Sequence, residues 1–230
     1  MKIRLLVEAI YNLFDIYHSK RLKSFYNDKL IDCVVDIGSH KGEFITKVIG
    51  DKSLPIFSFE PQRTIRNELQ INTKDYNIKS YFDFAVSDFN GDIDLHLNAL
   101  SSTSSTIRSN ENNMWVKFKR FVLGGDFYNG VQKTKCIMLD EIMRDSLYNY
   151  KCVLLKIDVE GAELAVLKGA RKLIESNNIA FIQIEIANYS IYDNTNKDDP
   201  ISYLNELGYS IDKSFLFPLL NFTDFVLKRD

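Results

Sequence analysis

Short apolar runs alternate with amphipathic stretches along most of the chain, and their spacing predicts the elements. Cys33 to Ile37 is a β-rich run and reads as a buried strand. Glu43 to Ile49 reads as a short helix and Pro55 to Glu60 as a second strand. Pro61 suits the turn into a helix with Ile65, Leu69 and Ile71 at its apolar positions, leading to Asn72. Ser80 to Val86 predicts a third strand. Asn90-Gly91 is a turn signal, and Asp92 to Leu97 alternates as a hairpin strand. Thr134 to Leu139 is another strand, and Asp140 to Met143 starts a helix. Val153 to Val159 is the most apolar strand. Ala162 to Ser176 is a helix burying Leu164, Leu167, Leu173 and Ile174, and Ala180 to Ile186 is a further strand. Pro200 to Leu207 predicts a helix closed by Gly208. Tyr209 to Phe215 and Phe222 to Leu227 form a last pair around Pro218. This alternation implies an α/β fold: a mostly parallel sheet with helices on both faces and an antiparallel last strand.

Two regions break the pattern. Ala99 to Asn113 carries the hydroxyl cluster Ser101 to Thr106, and Met114 to Phe127 is aromatic and basic. They predict an insert at about 99–130, either a lid or binding loop or a solvated loop over a small apolar cluster. Residues 1–30 read as a helical extension ahead of a domain at 31–230. Leu6, Ile10, Leu13, Phe14 and Tyr17 fall at helical spacing among Lys2, Arg4, Lys20, Arg21, Lys23 and Lys29. This is either a helix packed on the domain or on another subunit, or an interfacial helix touching an anionic membrane. Packing is the expectation, because the stripe is that of an ordinary core helix. Glu8 and Asp15 interrupt it and no small-residue cleavage site follows, so it is not read as a signal peptide. No apolar stretch reaches the ~18 residues of a membrane span.

Composition narrows the classes. With 230 residues, 45% hydrophobic and 26% charged, the chain suits one large globular domain. A net charge of -2 gives no global attraction to phosphate backbones, so no nucleic-acid partner is expected. Cys33, Cys136 and Cys152 are far apart without metal spacing and read as reduced core thiols of a cytoplasmic protein. Attachment at the inner face of the membrane is the alternative location.

Ligands of such sheets sit at the carboxyl ends of the strands, where the order reverses. The candidate chemistry therefore lies at Asp36, Glu60, Ala85-Val86, Asp158 and Glu185. Gly38 and Gly42 follow the first strand and read as a turn kept clear of side chains for a ligand. Glu60 lies 22 positions after Gly38, where such units place a carboxylate on a ribose. A nicotinamide fingerprint requires G-x-G-x-x-G. Here the spacing is G-x-x-x-G, and Asp36 in front of it would repel a pyrophosphate. The set suits a cationic ligand with an amine or a sulfonium, an aminoacyl carboxylate near backbone N–H groups, and a ribose. S-adenosylmethionine meets that description.

The residues Val-Val-Asp-Ile-Gly-Ser-His-Lys-Gly-Glu-Phe (34–44), Phe-Glu-Pro (59–61), Leu69 with Asn72, and Ala-Val-Ser-Asp (85–88) with Gly91 occur in this order. Leu-Asp (139–140), Leu-Leu-Lys-Ile-Asp-Val-Glu-Gly-Ala-Glu-Leu-Ala-Val-Leu-Lys-Gly-Ala (154–170) and Gln-Ile-Glu-Ile (183–186) follow. Together they resemble the FkbM family of methyltransferases over about Ile31 to Ile186, most specifically at Lys-Ile-Asp-Val-Glu-Gly. The resemblance implies a class I, Rossmann-like, seven-stranded fold and S-adenosylmethionine-dependent O-methylation. The implied acceptor is a hydroxyl of a sugar or glycan (capsule, lipopolysaccharide or similar), or of a small-molecule natural product. By the same resemblance Asp36, Gly38, Gly42 and Glu60 hold the cofactor, with Phe84, Ala85 and Val86 against adenine. Ser39, His40 and Pro61, which flank them, join the cofactor set. His40-Lys41 fills turn positions that often carry smaller residues in the family. Lys2 to Leu30 and Met114 to Gly130 have no clear family counterpart, and substrate choice is expected there.

Asp158 is expected near the cofactor amine or the acceptor, and Glu160 or Glu185 as the base or as carboxylates positioning the acceptor. Glu163 reads as a helix cap. Three acids could instead hold a hard cation, but the paired Asp-Asn of catechol-type enzymes is absent and no metal is expected. Methyltransferases acting on exocyclic amines carry an Asn/Asp-Pro-Pro-aromatic loop where this chain has Asp158-Val159-Glu160-Gly161. The non-enzymatic alternatives are a cofactor-binding scaffold without catalysis and a glycan-assembly subunit. Lys156 shares a strand face with Asp158, and an ion pair is its simplest role. His18 and His96 show no partner in the sequence.

Overall fold

The computed structural model describes residues 2–98, 128–176, 178–187, 199–219 and 222–230. The predicted insert lies for the most part at 99–127, outside the described residues.

Five short runs rich in Val, Ile, Leu and Phe pair side by side as parallel strands. They are β1 (Cys33–Ile37), β2 (Ile56–Phe59), β3 (Ile78–Phe82), β7 (Val153–Ile157) and β8 (Ile179–Ala187). The C-terminal β9 (Tyr209–Leu216) and β10 (Phe222–Arg229) complete a seven-stranded sheet in the order β3-β2-β1-β7-β8-β10-β9. β10 is antiparallel to both neighbours, as the short connection around Pro218 requires. Three further strands, β4 (Ala85–Val86), β5 (Gly91–Asn98) and β6 (Tyr128–Ile137), form a second small sheet in the order β4-β6-β5.

Alternation divides the large sheet into two faces. Cys33, Val35, Ile37, Phe57, Phe59, Leu155, Ile157, Ile182 and Ile184 pack on one side with the helices at 139–142, 163–175 and 199–206. Val34, Ile56, Leu154 and Val226 pack on the other, against Leu22 and Tyr26 of the long helix α1 (Lys2–Tyr26) and Phe44, Ile45 and Val48. The same face carries a row of polar side chains in register: Ser58, Asp36, Lys156 and Gln183. In a buried row each must find a partner.

The structure corrects several expected elements. The third strand does not run through to Val86. It ends at Phe82, whose ring stacks on Phe59 at 4.4 Å, and Asp83 turns outward toward Arg66. Ala85-Val86 then pairs with Cys136-Ile137 in the small sheet. The expected helix 162–176 is two helices, Glu163–Gly169 and Arg171–Glu175. The break at Ala170 leaves free N–H groups, and the Asp140 carboxylate accepts two of them, from Lys172 (3.0 Å) and Leu173 (2.9 Å). Gly169 lies against the Ser87 carbonyl, where any side chain would collide. At Phe44–Ile49 the helix is wide, with the Gly50 N–H bonding to the Ile45 carbonyl five residues back.

The N-terminal helix departs furthest from expectation. Its buried face is His18, Ser19, Leu22 and Tyr26, whereas Ile10, Leu13 and Tyr17 of the expected stripe point outward. Helical periodicity is the same for either face, and polar residues took the inner one because the sheet beneath them is polar. No described helix is long and apolar enough to cross a membrane.

Candidate active site

β1 ends at Ile37, and Gly38 takes a left-handed φ of 78°. A Cβ there would run into the carbonyl oxygen of Asp158, and one at Gly42 (φ 84°) would lie 2.6 Å from Thr73 Cγ2. Both glycines are therefore required by the protein's own packing, a reason added to the ligand clearance expected from the sequence. The close approach at Gly38 brings the ends of β1 and β7 together and sets Asp158 beside the turn.

Glu60, at the end of β2, is buried and organises that turn. One carboxylate oxygen accepts the His40 N–H (3.0 Å), the other the Gln62 N–H (2.8 Å). Burial nevertheless pushes its pKa up to about 7 against the pull of those N–H groups. His40 holds a left-handed φ of 47°, and its ring Nδ1 lies 3.2 Å from Glu43. Glu43 also accepts the Lys41 N–H at 3.1 Å. The Ser39 hydroxyl donates to the Asp36 carbonyl (2.9 Å) and receives the Ser58 hydroxyl (2.7 Å). Phe84 packs 6.0 Å from Phe59, and Ala85 and Val86 are buried beside it. A cleft of about 310 Å³ opens beyond Pro61 and Phe84, lined also by Arg63, Arg66, Gln132 and Thr134.

Asp36 stands apart from this set. It is fully buried, and its carboxylate faces Lys156 Nζ at 3.2 Å rather than the open end of the sheet. Lys156 also reaches Asp158 at 3.1 Å and donates to the Gly38 carbonyl at 2.9 Å. Burial alone would lower the Lys156 pKa, but Asp158 and Asp36 outweigh it and hold the ammonium charged. Burial raises Asp36, and Lys156 opposes that rise. The sequence reading gave Asp36 direct contact with a cationic ligand. In the structure it acts through Lys156, as the deepest member of an Asp–Lys–Asp bridge.

At the end of β7 the chain turns through Glu160 (φ 55°) and Gly161 (φ 103°). Among the described residues His40 and Glu160 are the two non-glycine positions in the left-handed region, and both sit on turns of this site. Glu163 accepts the Gly161 N–H at 2.8 Å, so it does hold the turn at the helix start. Burial pushes its pKa up to about 7. Carboxylate oxygens of Asp158, Glu160 and Glu185 all lie within 4.8 Å of one another. Burial, then Asp158, Asp224 and Glu160, lift Glu185 well above the carboxylate range. Such a trio can share protons with a hydroxyl, and among the described residues it is also the group that could hold a divalent cation.

Four contributors were not legible as such. Asp224 on β10 pairs with Glu185 in register, receives the Gln183 amide at 2.6 Å and sits 2.6 Å from His18 Nε2. The His18 partner invisible in the sequence is thus a strand some 200 residues away, and His96 too is engaged in the fold. Tyr26 donates to Gln183 at 2.6 Å. Two turns before His18, the Tyr11 ring meets Phe217 at 5.3 Å. Its phenol is pushed above its ordinary pKa by burial and by Glu185, Glu160, Asp15 and Asp158. The only local signal was the same helical spacing of Tyr11, His18 and Tyr26, hidden behind the more apolar stripe.

The arrangement fits S-adenosylmethionine. Acids crowd the mouth with one ammonium among them, which favours a cation, and the oxygens of Glu60 sit at the end of β2 with lone pairs left for ribose hydroxyls. The chain resembles two solved structures at 10% identity and a TM-score of 0.50. One is the magnesium protoporphyrin IX methyltransferase of Synechocystis PCC 6803 with bound SAH, matched over 97% of this chain and 87% of that one. The other is an SAM-dependent methyltransferase of Leishmania major, over 97% and 76%. No curated protein matches the chain. The methyltransferase FkbM domain matches residues 36–211. With that domain spanning most of the chain on a class I sheet, the protein belongs to the FkbM family of S-adenosylmethionine-dependent methyltransferases.

Proposed function

We propose that the chain methylates a hydroxyl of a sugar-type acceptor and that Asp158, Glu160 and Glu185 carry the acceptor side. The observation that supports this most is the packing of three carboxylates within 4.8 Å at the strand ends. Adjacent hydroxyls of a sugar can donate to several such oxygens at once.

S-adenosylmethionine supplies a methyl group already activated on sulfonium sulfur. Glu60 takes the ribose, and the turn at Gly38–Gly42 takes the aminoacyl end. Phe84, Ala85, Val86 and Pro61 flank the adenine. Asp158, held by Lys156, faces the positive end. Glu185, held well above the carboxylate range by burial and its neighbouring acids, is the carboxyl best disposed to donate a hydrogen bond, and Glu160 would orient the acceptor oxygen. With the methyl group supplied to the acceptor oxygen and the C–S electrons left on sulfur, Glu160 would take the hydroxyl proton.

Transfer of labelled methyl groups to a panel of glycan fragments tests the reading. A methylated sugar whose formation falls by about 100-fold or more in Glu160→Gln, with cofactor affinity retained, is the expected result. Transfer to natural-product hydroxyls alone would assign the small-molecule class. Cofactor binding without transfer to any hydroxyl would favour a scaffold.

A further inference from the structure

Helix α1 buries a mixed side, His18, Ser19, Leu22 and Tyr26, and exposes an apolar stripe flanked by lysines. Ile10 (42%), Leu13 (65%), Ile16 (48%) and Tyr17 (56%) face solvent within two turns. Leu216 at the end of β9 is exposed nearby, its carbonyl bonded to Arg21 at 3.1 Å. Lys20 and Lys23 extend the outward surface toward the helix C-terminus, and no ion pair among the described residues engages either.

The charge on this helix is segregated. It carries five basic residues, Lys2, Arg4, Lys20, Arg21 and Lys23, against Glu8 and Asp15, a net of +3. The whole chain is at -2, so the remainder is at -5. Asp15 is turned inward to Lys47 at 2.7 Å, so among the described residues the outward face carries apolar and basic groups and no acid. A second copy pressing the same face here would set its own Lys20 and Lys23 against this pair, like charge against like. An anionic surface would be attracted by the lysines while the apolar side chains leave water.

We propose that the outer face of α1 docks on an anionic lipid surface. The helix would lie in the interface with Leu13 and Tyr17 deepest and Lys20 and Lys23 on the headgroups. This goes beyond the acceptor reading and does not depend on it.

Co-sedimentation of the full chain with phosphatidylcholine vesicles, with and without phosphatidylglycerol, tests it. The expected result is binding to the anionic vesicles alone, weakened by salt. Leu13→Asp and the pair Lys20→Ser/Lys23→Ser should each lower that binding by roughly tenfold or more. Leu13 is exposed, so its variant should bind S-adenosylmethionine as the parent does, which shows that the fold and the cofactor site are intact. Failure to bind anionic vesicles, or binding unchanged in Leu13→Asp, overturns the proposal. So does a dimer by light scattering that Leu13→Asp abolishes without any vesicle binding, which would give the face to a second copy.

Discussion

Between Val34 and Pro61 the proposed cofactor side of the site is made by neighbours in sequence, and its acid Glu60 is satisfied by backbone. Glu60 receives the His40 and Gln62 N–H groups, and the turn it fixes is tied back to the end of β2. The proposed acceptor side gathers Tyr11, Asp158, Glu160, Glu185, Phe217 and Asp224 from five separate elements or turns, and its acids crowd one another around Lys156 and His18. The difference teaches what each side is for. A site for one invariant ligand can be prepaid with backbone hydrogen bonds. A site that must take and return a proton needs carboxylates left in competition.

The sharpest way to break that contrast is at the bridge joining the two sides. Lys156→Met leaves Asp36 buried and unpaired and should cost about 3–5 kcal/mol in urea denaturation. Adding Asp36→Asn to it should recover much of the loss. If the single variant unfolds like the parent, the bridge does not couple the two sides.

Next in size is a pH effect. Glu163 and Glu60 both stand at about 7 in the fold, above the usual carboxylate value near 4.5. Between those values the folded state binds more protons than the unfolded one, so stability falls as pH rises through the window and is greatest below it. Glu163→Gln keeps an acceptor for the Gly161 N–H but cannot ionise. It should match the parent at pH 5 and exceed it at pH 8 by a difference on the order of 3 kcal/mol at most. Thermal denaturation at the two pH values reads this directly, and parallel curves for parent and variant would refute it. Glu60→Gln should show the same sign but weaken cofactor binding as well, which separates the two sides.

The smallest expected effect is at Tyr11. Tyr11→Phe keeps the ring on Phe217 and removes the hydroxyl whose ionisation burial and the field of Glu185 and Glu160 oppose. It should raise KM for the acceptor about fivefold with cofactor affinity unchanged. An equal loss in cofactor affinity would make Tyr11 a merely structural residue.

The sequence by itself determined most of the strands, a mostly parallel sheet with an antiparallel last strand, the glycine turn after β1, Glu60 at the end of β2 and the acids after β7. These follow from local rules: β-rich runs, left-handed turn positions, and carboxylates placed where strands stop. Even the simplest role for Lys156, an ion pair with an acid on its face, was open to alternation alone. Only the tertiary structure decided the rest. Asp36 turned from ligand to buried ion partner because the sheet register sets Lys156 beside it. The helix at 162–176 broke in two because Asp140, far away in sequence, satisfies the second N-terminus. The leading helix turned its apolar stripe outward because Tyr26 and His18 on its other side complete the buried polar pair Gln183–Asp224 on the sheet. Periodicity tells which residues share a face. What that face meets depends on strands brought together from the far end of the chain, and no local pattern carries that information.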